Sequence, residues 1–236
     1  MAHVVSVNVG LPKPRDWAGI GRTSIDKQPV PGRAAVGFLG VEGDQVSDTK
    51  HHGGVDQAIH AYAREDLDFW AAELGTPIRD GQFGENLTTA GLDLNSAVVG
   101  TRLRVGGREG AGCVLEIASV RTPCNDFKGW MGETGYDNRA WVKRFAAARR
   151  PGPYLRVLEP GTVAAGDPIE VIGVPEHGIT VVDMFVALNV DRTRLPDLLV
   201  IEGLATDVRA RAEAWVEAHP RVSAQGPSVP ASPAVT

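Results

Sequence analysis

Short apolar runs separated by glycine and proline dominate the chain between residues 33 and 174 and restrict the folds that it can adopt. The runs are rich in β-branched residues, which is typical of β-strands. Glycine (28 residues) and proline (16 residues) follow no period, so they indicate turns and exclude a collagen-like repeat. Many short strands predict a closed or half-closed β-barrel, because closure removes exposed sheet edges. The candidate strands are His3–Val9, Ala34–Leu39, Ala58–Ala61, Leu103–Val105, Val114–Val120, Tyr154–Leu158 and Pro168–Ile172.

Helical periodicity is present in four segments. The first is the clearest, because Leu67, Trp70, Ala71 and Leu74 fall on one face and Gly75 follows as a helix-ending residue. The fold class expected from both patterns together is mainly β with added α-helices. The predicted helices are Arg64–Leu74, Gly135–Ala148, Val181–Leu188 and Ala205–His219.

The sequence divides into three parts. Residues 1–174 carry the strand pattern and form the predicted barrel domain, in which the proline-rich residues 11–31 make a long loop. Loops of this length in compact domains are commonly functional. Residues 175–221 form a predicted α-helical appendage, which either docks a partner protein or covers one end of the barrel. Residues 222–236 carry no charge and no pattern, so we expect a disordered tail.

Charge and composition exclude several classes of protein. The formal net charge is −5, which argues against a general nucleic-acid binder. No apolar stretch approaches the roughly 18 residues of a membrane span, and the N-terminus lacks the pattern of a signal peptide. Two cysteines cannot make a disulfide framework. We therefore expect a cytoplasmic protein without a nucleic-acid or membrane partner.

Cys124 is the strongest candidate for chemistry. It ends an Arg-Thr-Pro-Cys segment directly after the predicted strand Val114–Val120, and Pro123 turns the chain as it leaves the sheet. Arg121 close by would favour the thiolate, the form that acts as a nucleophile or a metal ligand. The alternative is a buried structural cysteine, which is also our interpretation of Cys113.

Two adjacent histidines followed by two glycines form the second candidate. Gly53 and Gly54 let the backbone approach a ligand and offer N–H groups to an anion. Adjacent side chains rarely face the same way, so we do not expect His51 and His52 to share a metal. The alternative is a tight turn with solvated histidines.

Three residues of two glycine-containing segments are further candidates. Asn86 could donate to a carbonyl or phosphate, and Glu85 is either an acid–base group or an exposed turn carboxylate. Asp44 either orients His52 or closes an Asx turn.

Three cations, Arg22, Lys27 and Arg33, lie in or beside the long loop. In a net-acidic chain this grouping indicates an anion site, and the alternative is a solvated loop.

Taken in order, four of these segments resemble the MOSC family, named for the molybdenum cofactor sulfurase C-terminal domain. Each segment is weak alone, but their order and spacing are specific. The resemblance extends to the YiiM-like subgroup, whose basic N-terminal motif is similar to Ser24–Val30, and it covers residues 1–215. The four segments are Gly40–Asp44, His52–Ala58, Phe83–Leu87 and Arg121–Cys124.

The resemblance implies a MOSC-type β-barrel, with a small helical appendage, that binds the molybdenum cofactor (molybdopterin). The cysteine ligand to molybdenum falls on Cys124, and the expected catalytic residues are Cys124, His52 and Asp44, the last two as a pair near the metal. The expected cofactor-binding residues are Lys27, Arg33, His52, Gly53, Gly54, Asn86, Arg121, Thr122 and Cys124.

The resemblance also implies an activity, the reduction of small N-hydroxylated compounds, including hydroxylated purine bases and hydroxylamines, to amines. Two cysteines cannot ligate an iron–sulfur cluster and no flavin motif is present, so a separate flavin or iron–sulfur reductase must donate the electrons. A homodimer is compatible with this expectation. Residues 125–130 depart from the subgroup pattern, which leaves the substrate open.

Two other functions remain open from the sequence. One is a sulfur-carrier or cofactor-delivery protein in which Cys124 holds a persulfide or passes the cofactor on. The other is a cysteine hydrolase using Cys124 with His52, for which no third orienting residue is recognisable.

Overall fold

The computed structural model describes residues 1–107 and 112–220, and the predicted disordered tail therefore lies outside the described residues. The strands of the described residues are β1 (His3–Val9), β2 (Lys13–Pro14), β3 (Arg22–Thr23), β4 (Gln28–Pro29), β5 (Arg33–Gly37), β6 (Gly40–Val41), β7 (Ile59–Ala63), β8 (Leu87–Ala90), β9 (Arg102–Val105), β10 (Cys113–Val120), β11 (Pro153–Glu159), β12 (Gly161–Ala164) and β13 (Ile169–Gly173). The helices are α1 (Arg64–Leu74), α2 (Asn125–Glu133), α3 (Trp141–Ala148), α4 (Val181–Asn189) and α5 (Thr206–Ala218), with 3₁₀ helices at Val55–Gln57 and Arg192–Val200.

A large mixed sheet forms the centre of the fold. Its eight strands follow the order β13-β9-β10-β11-β7-β8-β1-β4, and a smaller sheet has the order β12-β5-β6. All neighbours in the large sheet are antiparallel except β7 and β8, which run parallel with α1 as part of their connection. The expected strands are confirmed to within a few residues, because their apolar runs lie in the sheet.

The prediction was a closed or half-closed barrel, and a closed barrel is not observed. On the side of β1 that faces away from β8, Asn8 and Val9 pair with β4. The start of β1 meets the start of β13 only locally, through a bridge between His3 and Pro168 and through backbone hydrogen bonds from the Val4 N–H to Asp167, the Gly166 N–H to Val4 and the Ile169 N–H to Ala2. Strands β13 and β4 stand at the two ends of the strand order among the described residues. The observed fold class is mixed α/β with a large sheet.

The helices agree with the sequence except around α2. Helix α1 begins and ends as predicted, and Gly75 closes it with a φ of 66°. The predicted helix Gly135–Ala148 is observed only from Trp141, because Ala140 adopts a left-handed conformation with a φ of 49°. Helix α2 was not predicted, since Gly129 and Gly132 lower its helix propensity.

Buried aromatic side chains fix the helices against the sheet. The rings of Phe83 and Phe127 lie 5.0 Å apart between centroids, and Phe127 contacts Trp141 at 5.3 Å. Trp70 of α1 stacks on Phe145 at 5.9 Å. This cluster holds the segment after Phe83 and the start of α2 in place, and both carry candidate site residues.

The C-terminal helices pack into the same hydrophobic cluster as the sheet. Met184 and Phe185 of α4 and Val208 and Ala212 of α5 are buried within it. The two helices were predicted at these positions, whereas the division into a domain and an appendage stays a prediction. No helix within the described ranges has both the length and the apolar character needed to cross a bilayer.

The long loop, residues 11–31, is fastened to helix α2. Glu133 accepts hydrogen bonds from Arg15 Nε at 2.7 Å and from Trp17 Nε1 at 2.6 Å. At the other end of the helix, Asp126 accepts from the Gly19 N–H at 3.0 Å. The loop is therefore ordered against the helix that follows Cys124.

Candidate functional site

Cys124 lies where strand β10 ends and helix α2 begins. It is the residue before α2, and its Sγ accepts a hydrogen bond from the Phe127 N–H at 3.4 Å. The N-terminal end of a helix also presents backbone N–H groups that have no partner within the helix. The side chain is half-buried, and it lies on the walls of two cavities.

The two cavities meet at Cys124. The Lys27 cavity, lined by Lys27, His60, Asn86 and Arg121 among others, encloses about 700 Å³ including space open to solvent. The Arg211 cavity encloses about 1210 Å³ on the same basis and extends from Cys124 to helices α4 and α5. The residues that line both cavities are Asp48, His52, Gln57, Cys124, Asp126 and Tyr154.

Arg121 is a buried cation without an acidic partner among the described residues. Its side chain has 7% exposure, and Nη1 donates to the Tyr154 hydroxyl at 3.3 Å. The guanidinium carbon lies 4.8 Å from the centre of the Phe127 ring, and Nε has no hydrogen-bond partner. A buried charge without a counterion is unfavourable, so this position favours an anionic ligand in the Lys27 cavity.

Lys27 already has a counterion. Its Nζ contacts both carboxylate oxygens of Asp44 at 2.5 Å, and burial lowers its pKa while Asp44 opposes that shift. Asn86 Nδ2 and the Gly10 N–H also donate to Asp44, at 2.9 and 2.7 Å. The structure thus brings together three candidate residues, Lys27, Asp44 and Asn86, in one buried network.

The predicted pairing of Asp44 with His52 is not found in the described residues, because Asp44 is engaged by Lys27 and Asn86. His52 lines both cavities instead. Burial and the positive charge of Arg121 lower the pKa of His52 to about 4, so the ring is neutral near pH 7. A neutral imidazole can donate one hydrogen bond and accept another. His51 is exposed and bonds Asp48 at 2.8 Å.

The fold places the other predicted binding residues in different regions and does not bring them together. Gly53, with a φ of 82°, lines the Lys27 cavity, whereas Gly54 is outside both cavities. Thr122 lines the Arg211 cavity. Arg33 lines neither cavity, because its guanidinium forms a bidentate ion pair with Asp167 at 2.8 Å.

His60 is a site residue that the sequence reasoning missed. It has 2% exposure and lines the Lys27 cavity, and neither ring nitrogen makes a hydrogen bond within the described residues. The Gly84 and Pro151 backbone lies near the ring, and burial keeps the pKa of His60 well below its ordinary value. The sequence feature that could have indicated this residue is a single histidine among the apolar residues of strand β7.

Glu85 lies between two lining residues of the Lys27 cavity, Gly84 and Asn86, but is itself completely buried. The carboxylate accepts hydrogen bonds from the Gly81 N–H at 2.6 Å, the Phe83 N–H at 2.9 Å and the Thr88 hydroxyl at 3.0 Å. Complete burial raises the pKa of Glu85 to about 7, against the opposing effect of these donors. It is therefore neither an exposed turn carboxylate nor a lining residue, but the group that holds the turn carrying Asn86.

The two cysteines differ in their exposure. Cys113 has 1% exposure, and burial raises the pKa of its thiol to about 12, which suits a structural residue. Within residues 1–107 and 112–220, no three His, Cys, Asp or Glu side chains come together as a metal site. A metal at Cys124 would therefore take its other ligands from a bound group.

Similar proteins were found by sequence and by structure. YflK of Bacillus subtilis (strain 168), described as uncharacterized, is 31% identical over 179 residues, which cover 75% of this chain and 76% of YflK. YiiM of Escherichia coli (strain K12) is 29% identical over 153 residues, or 64% of each chain. A protein named reductase from Gibberella moniliformis is 30% identical over 176 residues, but the match spans only 29% of its length.

A solved structure and a family model also match this chain. The crystal structure of YiiM from Geobacillus stearothermophilus superposes with a TM-score of 0.72 at 24% identity, covering 91% of this chain and 98% of that one. The MOSC domain family model matches residues 48–170, which contain three of the four segments named above. The chain therefore belongs to the MOSC domain family, as the order of its motifs predicted.

Proposed function

We propose that this protein binds the molybdenum cofactor and reduces small N-hydroxylated compounds to amines. The observation that carries the proposal is the placement of Cys124, half-buried beside a buried arginine with no counterion and at the junction of two cavities. Membership of a family associated with this cofactor supports the first half of the proposal. The relative named reductase supports an oxidoreductase.

The residues present fit the cofactor. The Lys27 cavity is lined by Arg121, a cation without an acidic partner among the described residues, and by the amide of Asn86. A phosphorylated pterin carries an anion, which would balance the charge of Arg121, and a polar edge, which can bond polar side chains of the wall. Cys124 presents the only cysteine sulfur on this cavity within the described residues, and thiolate sulfur suits a soft metal.

The chain's own residues bind and orient the reactants. Cys124 would hold the metal, and Arg121, which donates to the Tyr154 hydroxyl, would bind the phosphate. His52 and Tyr154 face both cavities and can each donate a hydrogen bond to a ligand between them. When bound, the cofactor supplies a centre that exchanges two electrons and accepts an oxygen atom.

The overall reaction consumes two electrons and two protons for each N–O bond broken, and it releases the amine and water. The sequence contains two cysteines, too few for an iron–sulfur cluster, so the electron donor in this proposal is a separate flavin or iron–sulfur reductase.

The experiment compares Cys124→Ser with Cys113→Ser after expression in a host that makes the cofactor. We expect about one molybdenum per chain in the unaltered protein and in Cys113→Ser, with turnover of a hydroxylamine by reduced methyl viologen. Cys124→Ser should lose both the metal and the turnover. Unchanged turnover in Cys124→Ser would overturn the assignment, and a metal-loaded protein without turnover would indicate a delivery protein instead.

A further inference from the structure

The Arg211 cavity shares His52, Thr122 and Cys124 with the cofactor-binding residues and extends beyond them. It begins at Cys124 and ends against the C-terminal helices, where Leu188 of α4 and Val208 and Arg211 of α5 form its far wall. Its water-accessible volume of about 490 Å³ is large enough for a small molecule. The helices predicted as an appendage therefore line a cavity that also reaches Cys124.

Three carboxylates line this cavity, and two of them accept hydrogen bonds. Asp48 bonds His51 at 2.8 Å, and Asp126 accepts the Gly19 N–H at 3.0 Å. Asp207 makes no hydrogen bond or ion pair within the described ranges, but it lies in the first turn of α5, where the helix dipole stabilises a carboxylate.

Two cations on the cavity wall lack an acidic partner within the described residues. Lys50 is exposed, and its ammonium group makes no ion pair there. Arg211 is also exposed and donates only to the Leu188 carbonyl, at 3.3 Å, so its other guanidinium donors face solvent and are available to a ligand. A guanidinium binds a carboxylate through two parallel hydrogen bonds, which makes an anionic group the best match for Arg211.

Apolar side chains line the cavity beside the charged groups of Arg211 and Asp207. Val120 of β10, Leu188 and Val208 are buried with exposures of 3%, 3% and 1%, and all three line the cavity. Apolar residues beside a free guanidinium suit a molecule with an apolar body and a carboxylate at one end.

We propose that the Arg211 cavity is the substrate site and that Arg211 selects N-hydroxylated compounds with an apolar body and a carboxylate. This inference rests on the proposed function. The carboxylate lies at Arg211, and the N–OH group lies at the Cys124 end of the cavity. The reaction is R–NHOH plus two electrons and two protons, giving R–NH₂ and water, with reduced methyl viologen as the electron donor in the assay.

The test uses two substrates that differ only in the carboxylate, 4-(hydroxyamino)benzoate and N-phenylhydroxylamine. We expect the unaltered protein to prefer the carboxylate in kcat/KM by about tenfold. Arg211→Gln should remove this preference by raising KM for 4-(hydroxyamino)benzoate at constant kcat, and Arg211→Lys should retain part of it. Arg192→Gln is the matched control, because Arg192 is an exposed arginine outside both cavities.

A binding measurement separates this inference from the proposed function. Calorimetry with the product 4-aminobenzoate, and with aniline as the neutral comparison, requires no turnover. Weaker binding of 4-aminobenzoate to Arg211→Gln supports the site even if neither hydroxylamine is reduced, in which case the proposed function fails alone. If both hydroxylamines are reduced and Arg211→Gln changes neither KM nor 4-aminobenzoate binding, the site assignment is overturned and the proposed function stands.

Discussion

The buried carboxyl of Glu85 should make the stability of this protein depend on pH. Its pKa is about 7 in the folded protein against an ordinary value of 4.5. Below pH 4.5 the carboxyl is protonated in both the folded and the unfolded protein, and it does not lower the free energy of unfolding. As the pH rises from 4.5 to 7, the unfolded chain releases its proton first, so the folded state loses stability; above pH 7 the loss is constant.

The magnitude follows from the two pKa values. A difference between 4.5 and about 7, at ~1.36 kcal/mol per pH unit, corresponds to about 3 kcal/mol. Glu85 has 0% exposure, so solvent does not screen the effect. Glu85→Gln removes the titration, although it also disturbs the hydrogen bond from the Phe83 N–H and lowers stability at every pH.

Urea unfolding of both proteins between pH 4 and pH 8 measures this difference. We expect the unaltered protein to lose about 3 kcal/mol relative to Glu85→Gln across this range, since other titrating groups cancel in the comparison. Glu65→Gln serves as the control, because Glu65 also accepts a backbone N–H, from Gly91 at 2.7 Å, but is exposed. Parallel stability curves for the unaltered protein and Glu85→Gln would refute the reasoning.

Three further predictions concern the site and its loop. Lys27→Met should lower the free energy of unfolding by about 3–5 kcal/mol in urea, because Asp44 is left buried without a counterion, and adding Asp44→Asn should recover part of the loss. His60→Leu should leave the melting temperature of the cofactor-free protein within a few degrees but reduce molybdenum retained per chain; unchanged retention would contradict a role in binding. Glu133→Ala should leave the melting temperature unchanged and accelerate proteolysis within the loop that carries Trp17. Equal cleavage rates in the two proteins would show that Glu133 does not hold this loop.

The sequence was informative where local pattern and fold agree. Strand β1 was predicted with its observed bounds, since valine-rich alternation specifies a half-buried strand. Helix α1 was predicted equally well, because an apolar stripe and Gly75 coincide. Four short segments were enough to identify the family, since their order carries information that no one of them has.

The sequence was uninformative where distant contacts decide. Helix α2 contains two glycines and is stabilised by the buried side chains Phe127, Trp130 and Met131, which no local propensity reveals. Arg33 looks like an anion ligand by its position, but Asp167 is 134 residues away in sequence and neutralises it. Sheet closure depends on which strand β1 meets on its second side, and only the three-dimensional structure shows that.

The attachment of the long loop to helix α2 has a kinetic consequence. Residues of this loop, including Ser24, Ile25 and Lys27, form one wall of the Lys27 cavity. Weakening the contacts to Glu133 and Asp126 should let this wall open more often, so that a ligand in the cavity binds and leaves faster at a similar affinity.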